Sequence, residues 1–191
     1  MKIGIIGQGF VGNAVYQKFK NFFKVLTFDT KEELCNSTLL DIKKECKIVF
    51  VCVPTPMNKD GSCDISIVES VIKLLSDVED LIIINKSTIV PGTTDKLSRK
   101  YKKIQLIFNP EFLTERNAVH DYENQNRIII GGPRPATNKV KNIFSKVFPH
   151  SNIIKTGATH AEMIKYFTNS FLATKVSFAN EIYQLCKKLN L

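Results

Sequence analysis

The chain has 191 residues, 43% of them hydrophobic and 24% charged, which is enough apolar material for one sizeable core. Its 27 basic and 18 acidic residues leave a formal charge of +9, yet the lysines are scattered, with short clusters at Lys43-Lys44, Lys100 to Lys103 and Lys187-Lys188. No basic stripe with interleaved aromatics is present, so no nucleic-acid partner is expected. No apolar run approaches the roughly 20 residues of a membrane span, and the first seven residues are too short an apolar run for a secretory signal. A soluble, cytoplasmic protein without a membrane partner is the expectation. The five cysteines, Cys35, Cys46, Cys52, Cys63 and Cys186, form no Cys-x-x-Cys pair, which argues against a disulfide framework and a zinc site; no metal is expected.

A strand over 2–6 opens the chain and runs into Gly7-Gln8-Gly9-Phe10-Val11-Gly12, after which a helix is expected over 11–22. A second strand over 25–29 ends at Asp29, 22 residues after Gly7. Strand, Gly-x-Gly-x-x-Gly, helix and a following acidic residue form a dinucleotide-binding pattern with a mechanical reason for each part. Gly7 allows the tight turn, Gly9 lets a pyrophosphate approach the backbone, and Gly12 lets helix and strand pack closely. The helix N-terminus offers free N–H groups and partial positive charge to the pyrophosphate. Asp29 would accept both adenosine ribose hydroxyls and repel a 2′-phosphate, which favours NAD over NADP; Lys31 nearby weakens that preference slightly. Phe10 and Val11 in the turn complete this part of the cofactor site.

Beyond Asp29, strands are expected over 47–53, 81–85, 104–108, 127–130 and 152–155, with helices over 65–75, 93–100 and 136–147 between them. The strands are continuous apolar runs, as in strands covered on both faces. Alternation of strand and helix implies right-handed crossovers and a doubly wound, mostly parallel α/β sheet of Rossmann-like type. From Thr159 to Leu191 no Pro or Gly occurs beyond the expected start of one long helix. A dinucleotide domain over 1–157, followed by a helix over 158–191, is therefore the expected organisation.

In a parallel sheet, ligands collect at the carboxyl ends of the strands. Three segments fall there: Val53-Pro54-Thr55-Pro56 with Asp60-Gly61, Lys86-Ser87-Thr88-Ile89-Val90-Pro91-Gly92-Thr93-Thr94, and Asn109-Pro110-Glu111-Phe112-Leu113-Thr114-Glu115-Arg116. Val53, Pro54, Thr55, Ser87 and Thr88 are expected to touch the dinucleotide, and Thr93 to cap the next helix. Within the long helix, Lys165 and Asn169 stand at i and i+4 and share a face. Together they could hold a hydroxyl or a developing oxyanion; spacing alone favours a surface lysine paired with Glu162.

These segments, with Arg127-Ile128-Ile129-Ile130-Gly131-Gly132 and Ala161-Glu162…Lys165-Tyr166…Asn169…Leu172-Ala173-Thr174-Lys175…Asn180-Glu181, resemble in residues and order the UDP-glucose/GDP-mannose dehydrogenase family. The resemblance spans that family's N-terminal domain and the first part of its central helix. It implies NAD-dependent oxidation of the C6 alcohol of a nucleotide sugar to the acid, in two steps through a covalent thiohemiacetal, for polysaccharide biosynthesis. On the matching positions, Lys165 and Asn169 would stabilise the C6 oxyanion, and Glu111 would assist acid/base work or place the hydrolytic water. Thr88 would help hold that water, and Phe112 and Leu113 would line the sugar pocket. A homodimer through the C-terminal helix is implied as well.

Two departures stand against the family pattern. No Gly-Gly-x-Cys segment followed by Lys-Asp is present, and Cys186 lies in a helical context without the glycines; Thr114-Glu115-Arg116-Asn117 replaces the commoner Arg-Glu-Gly. The chain is therefore expected to be incomplete and inactive alone. A related β-hydroxyacid dehydrogenase and a stand-alone NAD- or nucleotide-binding module are the alternatives.

Overall fold

The computed structural model describes residues 1–191 as a seven-stranded sheet in the order β2-β1-β3-β4-β5-β6-β7. The elements follow as β1 (Lys2–Ile6), α1 (Phe10–Phe19), β2 (Lys24–Phe28), α2 (Leu39–Glu45), β3 (Ile48–Val51), α3 (Ser66–Leu75), β4 (Ile82–Asn85) and α4 (Thr93–Lys100). Then come β5 (Gln105–Phe108), α5 (Ala118–Glu123), β6 (Arg127–Gly131), α6 (Arg134–Val147), β7 (Asn152–Thr156) and α7 (Ala158–Lys188).

The unbroken apolar runs hide an alternation of faces. Ile3, Ile5, Phe50, Ile84, Ile107 and Ile130 point into one core with α1, α5 and α6. Ile6, Val49, Val51, Ile83, Leu106 and Ile129 point into the other with α2, α3, α4 and the start of α7. Period-two geometry feeds both layers from one run of Ile and Val, so the run must be apolar throughout. The first core is closed by Phe19, Phe50, Phe144 and Phe148, whose rings meet mostly edge to face at 5.0 to 6.3 Å.

Strands β1 to β5 are parallel, and β2 and β3 pair with opposite edges of β1, so the direction of chain progress across the sheet switches between β1 and β3. β6 departs from the parallel pattern. It meets β5 antiparallel at Phe108 and Gly131, and β7 then runs parallel to β6. The connection from β5 contains a 3-10 turn at Glu115–Asn117 and the six-residue α5, packed on α1, so no long helix carries the chain back across the sheet. That reversal starts α7 beside the end of β6, where a Cβ on Gly131 would lie 2.5 Å from the Ala161 Cβ. From there α7 passes the N-terminus of α4 and reaches the segment after β5.

Candidate dinucleotide and substrate site

The backbone ladder continues one residue past four strands. Gly7 donates to Phe28 O, Cys52 to Ile6 O, Lys86 to Val51 O and Asn109 to Asn85 O, all at 2.8–2.9 Å. The expected loops are thereby fixed side by side along the carboxyl edge. They surround a cleft of about 420 Å³ lined by Gly7, Gly9, Phe10, Val11, Asp29, Cys52, Val53, Pro54, Thr55, Lys86, Ser87, Thr88 and Glu111. The cleft opens where the sheet direction switches, the place where such folds take nucleotides.

The glycines divide the work. Gly7 has φ +90, and a Cβ there would lie 2.5 Å from Cys52 O. Gly12 lines no cleft; it is the contact between α1 and the turn. Gly9 has nothing within 4 Å of its would-be Cβ and faces the cleft, so its bare backbone is a cradle for a ligand rather than a packing need. Gly9→Ala is accordingly expected to leave urea stability within about 0.5 kcal/mol while weakening dinucleotide binding about tenfold or more, read by calorimetric titration.

Asp29 is held before any ligand arrives. Its Oδ2 accepts from Gln8 N at 2.6 Å and its Oδ1 from Lys31 N at 3.0 Å. Burial alone would raise this carboxyl, but these hydrogen bonds, with Thr30, bring it below the ordinary aspartate value. Lys31 itself is exposed and touches the site only by that backbone N–H; its side chain does not line the cleft.

A second hollow of about 270 Å³ adjoins the first and shares Thr55 and Thr88 with it. It is lined further by Pro56, Met57, Gly61, Ser62, Cys63, Tyr166, Asn169 and Ser170. A turn closed by the Met57–Cys63 bridge forms one wall and α7 the other. Burial and the neighbouring Cys63 thiol hold the Tyr166 phenol above its usual value. Asn169 and Thr88 thus face a common space.

Lys165 does not pair with Glu162, the partner its spacing favours. It is 5% exposed, and its Nζ donates to Glu111 O at 2.5 Å and Glu111 Oε1 at 3.1 Å, 54 residues away in sequence. Glu111 Oε2 also accepts from Leu113 N at 2.8 Å, so the carboxylate is fixed on two sides. Glu162 is fully buried and caps α4 instead, accepting from Gly92 N at 2.6 Å and Thr94 N at 2.8 Å. This corrects the expected role of Thr93. The cap position is Gly92 in a left-handed conformation, and the Thr93 hydroxyl donates back to Val90 O at 2.6 Å. A carboxylate from α7 supplies what the local sequence lacks.

Phe112 and Leu113, expected to line a sugar pocket partly through backbone groups, follow Glu111 directly. They border a separate hollow with Asp121, Asn124, Gln125, Asn126 and Arg127, and the Phe112 ring lies 5.0 Å from the Arg127 guanidinium and 5.3 Å from Lys165 Nζ. The Phe112 ring thus packs within cation–π reach of the Lys165 ammonium. Lys86, Cys63 and Tyr166 line the two hollows and Glu162 caps α4, positions that the motifs do not reveal. Lys86 had a signal, a lysine closing an apolar strand; Gly92 before a helix marked a missing local cap but not that Glu162 supplies it. No group of three or more His, Cys, Asp or Glu is close enough to hold a metal ion, and no helix is long and apolar enough to cross a membrane.

The model of the UDP-glucose/GDP-mannose dehydrogenase family NAD-binding domain matches residues 24–150, and that of the family's central domain matches residues 159–191. The chain belongs to this family. UDP-glucose 6-dehydrogenase TuaD of Bacillus subtilis is 36% identical over 151 residues, covering 74% of this chain and 32% of that protein. UDP-glucose 6-dehydrogenase of Pseudomonas aeruginosa is 35% identical over 156 residues, 74% of this chain and 34% of that protein. The chain thus spans about a third of the length of these relatives. A UDP-D-ManNAc dehydrogenase structure from Pyrococcus horikoshii superposes with a TM-score of 0.90 at 24% identity, over 100% of this chain and 55% of that one, which confirms the fold. The family's cofactor is NAD, and the open backbone at Gly9, the free helix N-terminus of α1 and the poised Asp29 fit that group. Gly9 and the α1 N–H groups would hold the pyrophosphate and Asp29 the adenosine ribose.

Proposed function

We propose that this chain is the NAD-binding part of an enzyme that oxidises the C6 alcohol of a nucleotide sugar, UDP-glucose or a related UDP- or GDP-linked hexose, to the carboxylate. The observation that carries the reading is the Lys165–Glu111 pair, packed at the end of the cleft opposite Asp29 and beside the hollow bearing Thr88 and Asn169. Bound NAD supplies a hydride acceptor. At the sugar, a Lys165 N–H and the Asn169 amide would donate to the C6 oxygen as it gains negative charge, which lowers the barrier to loss of hydride. Glu111 would take the hydroxyl proton directly or through a water held by Thr88. Its hydrogen bonds from Lys165 and Leu113 aim it without leaving the carboxylate to find its own position.

The cysteine chemistry of the second oxidation has no counterpart among these residues, so turnover to the acid is expected to need more chain than is present. Residues 1–157 would form the dinucleotide domain, and the rest the start of the central element. Phe167, Phe171, Leu172, Val176, Phe178 and Ile182 are exposed along α7, which supports burial against a second copy and a homodimer. A cytoplasmic location and a role in polysaccharide biosynthesis belong to the same proposal.

The test is titration of UDP-glucose, GDP-mannose, 6-phosphogluconate and 3-hydroxyisobutyrate into the isotope-labelled, NADH-loaded chain. A nucleotide sugar should shift the amides of Thr88, Glu111 and Asn169. Shifts at those residues with a hydroxy acid, and none with a nucleotide sugar, would overturn the substrate class.

A further inference from the structure

Lys86 is the one cation in the wall of the dinucleotide cleft. It follows β4 directly and is 3% exposed. Its Nζ donates to Asn109 Oδ1 at 2.9 Å and Asn109 O at 3.3 Å, and it sits 5.3 Å from the Tyr122 ring. Every one of these partners is neutral. The other buried lysine, Lys165, has its charge matched by Glu111, so the uncompensated charge of this cluster belongs to Lys86.

The cleft runs from Asp29, after β2 at one edge, to Glu111, after β5. With the adenosine ribose at Asp29, the nicotinamide end falls over β3 to β5, the side on which Lys86 lies. The oxidised nicotinamide ring is a cation and the reduced ring is neutral. We propose that Lys86 makes this cleft sense the redox state of its dinucleotide, holding NADH more tightly than NAD+ because an unpaired ammonium stands against the oxidised ring. The inference rests on the NAD assignment and adds to it a preference that the glycine motif and Asp29 do not produce, since both read only the pyrophosphate and ribose.

The preference depends on pH in a defined sense. Burial pushes the Lys86 ammonium down to about 8, with the Glu111 carboxylate drawing it up and Lys165 pressing it further down. The remaining groups facing it are fixed: burial holds the Cys52 thiol up at about 12 and the Tyr122 phenol well above its usual value. Below the Lys86 pKa the ammonium is charged and opposes NAD+. Above it the amine is neutral and the opposition ends, so NAD+ affinity rises with pH while NADH affinity stays level.

The experiment is calorimetric titration of NAD+ and NADH into the 191-residue chain at constant ionic strength, from about pH 6.5 to 9.5. The NAD+ Kd should fall roughly five- to tenfold across this range while the NADH Kd moves by less than about twofold. In Lys86→Arg, which keeps its charge throughout, NAD+ binding should stay weak and flat; in Lys86→Met it should be tight and flat. Wild-type affinities that move in parallel, or that are both flat, overturn the inference with or without folded variants. Binding of neither nucleotide would instead overturn the cofactor assignment, and this inference with it.

Discussion

Gly12→Ala will cost the protein about 3 kcal/mol or more of its stability, and Gly12→Val will leave no folded chain. A single methyl group at Gly12 would lie 1.9 Å from Gly7 O and 2.9 Å from Gly7 C. Gly7 cannot retreat, because its own Cα already sits where a side chain would strike Cys52 O. The remaining escape is for α1 to lift from the sheet, which would uncover Ala14, Val15 and Phe19, all fully buried. Urea denaturation followed by circular dichroism reads the loss. A Gly12→Ala midpoint corresponding to less than about 1 kcal/mol would contradict the close approach of α1 to the turn. Gly9→Ala, three residues earlier and free of contacts, is the matched control, expected to lose binding and keep stability.

Lys165→Met will destabilise by about 3 kcal/mol for the opposite reason, since it removes a partner rather than adding bulk. The Lys165 and Glu111 side chains are 7% and 11% exposed, and the change leaves a carboxylate with little water to replace its ammonium. It also deletes the 2.5 Å bond that ties α7 to Glu111 O. Adding Glu111→Gln should restore about half of the loss, because a neutral amide tolerates burial where a carboxylate does not. The four denaturation curves of this double-mutant cycle carry the test. Additive losses would mean that the two side chains do not interact, and the positioning role of Lys165 for Glu111 would go with them.

Much of this fold is readable from local pattern. Runs such as Ile82-Ile83-Ile84 are strands because only sites covered on both faces tolerate three β-branched apolar residues in succession. Their ends are less legible. The third strand, expected over 47–53, stops at Val51; Cys52 still donates to Ile6 O, and Cys52 and Val53 then line the cleft while remaining apolar, so composition alone does not mark the end. The helices α2 and α5 escape a periodicity search at seven and six residues. Only the Thr38-Leu39-Leu40-Asp41 capping box, with Asp41 N donating to Thr38 Oγ1 at 3.1 Å, marks the first of them in sequence.

The candidate site divides along the same line. Gly7, Gly9, Gly12 and Asp29 can be assigned from spacing because they act within one βαβ unit whose geometry spacing dictates. Lys165 cannot, because its partner lies 54 residues away and the two meet only through the reversal at β6. Glu162 illustrates the limit most clearly. Three residues before Lys165 it looks like a helix ion pair, yet tertiary packing assigns it to the bare N-terminus of α4. Phe112 and Leu113, given a sugar-pocket role by resemblance alone, border a hollow with Asp121, Asn124 and Arg127, a neighbourhood that local pattern does not reveal.

On the proposed function, Asp29 and the Gly7–Gly12 turn form a site selective for NAD. The most direct measurement is calorimetric titration of NAD and NADP into the wild-type chain and into Asp29→Ala. A carboxylate already fixed by Gln8 N at 2.6 Å should exclude the 2′-phosphate, so NAD is predicted to bind wild type at least about tenfold more tightly than NADP, with the gap closing in Asp29→Ala. Equal affinities in the wild-type chain, or binding of neither nucleotide, would contradict it.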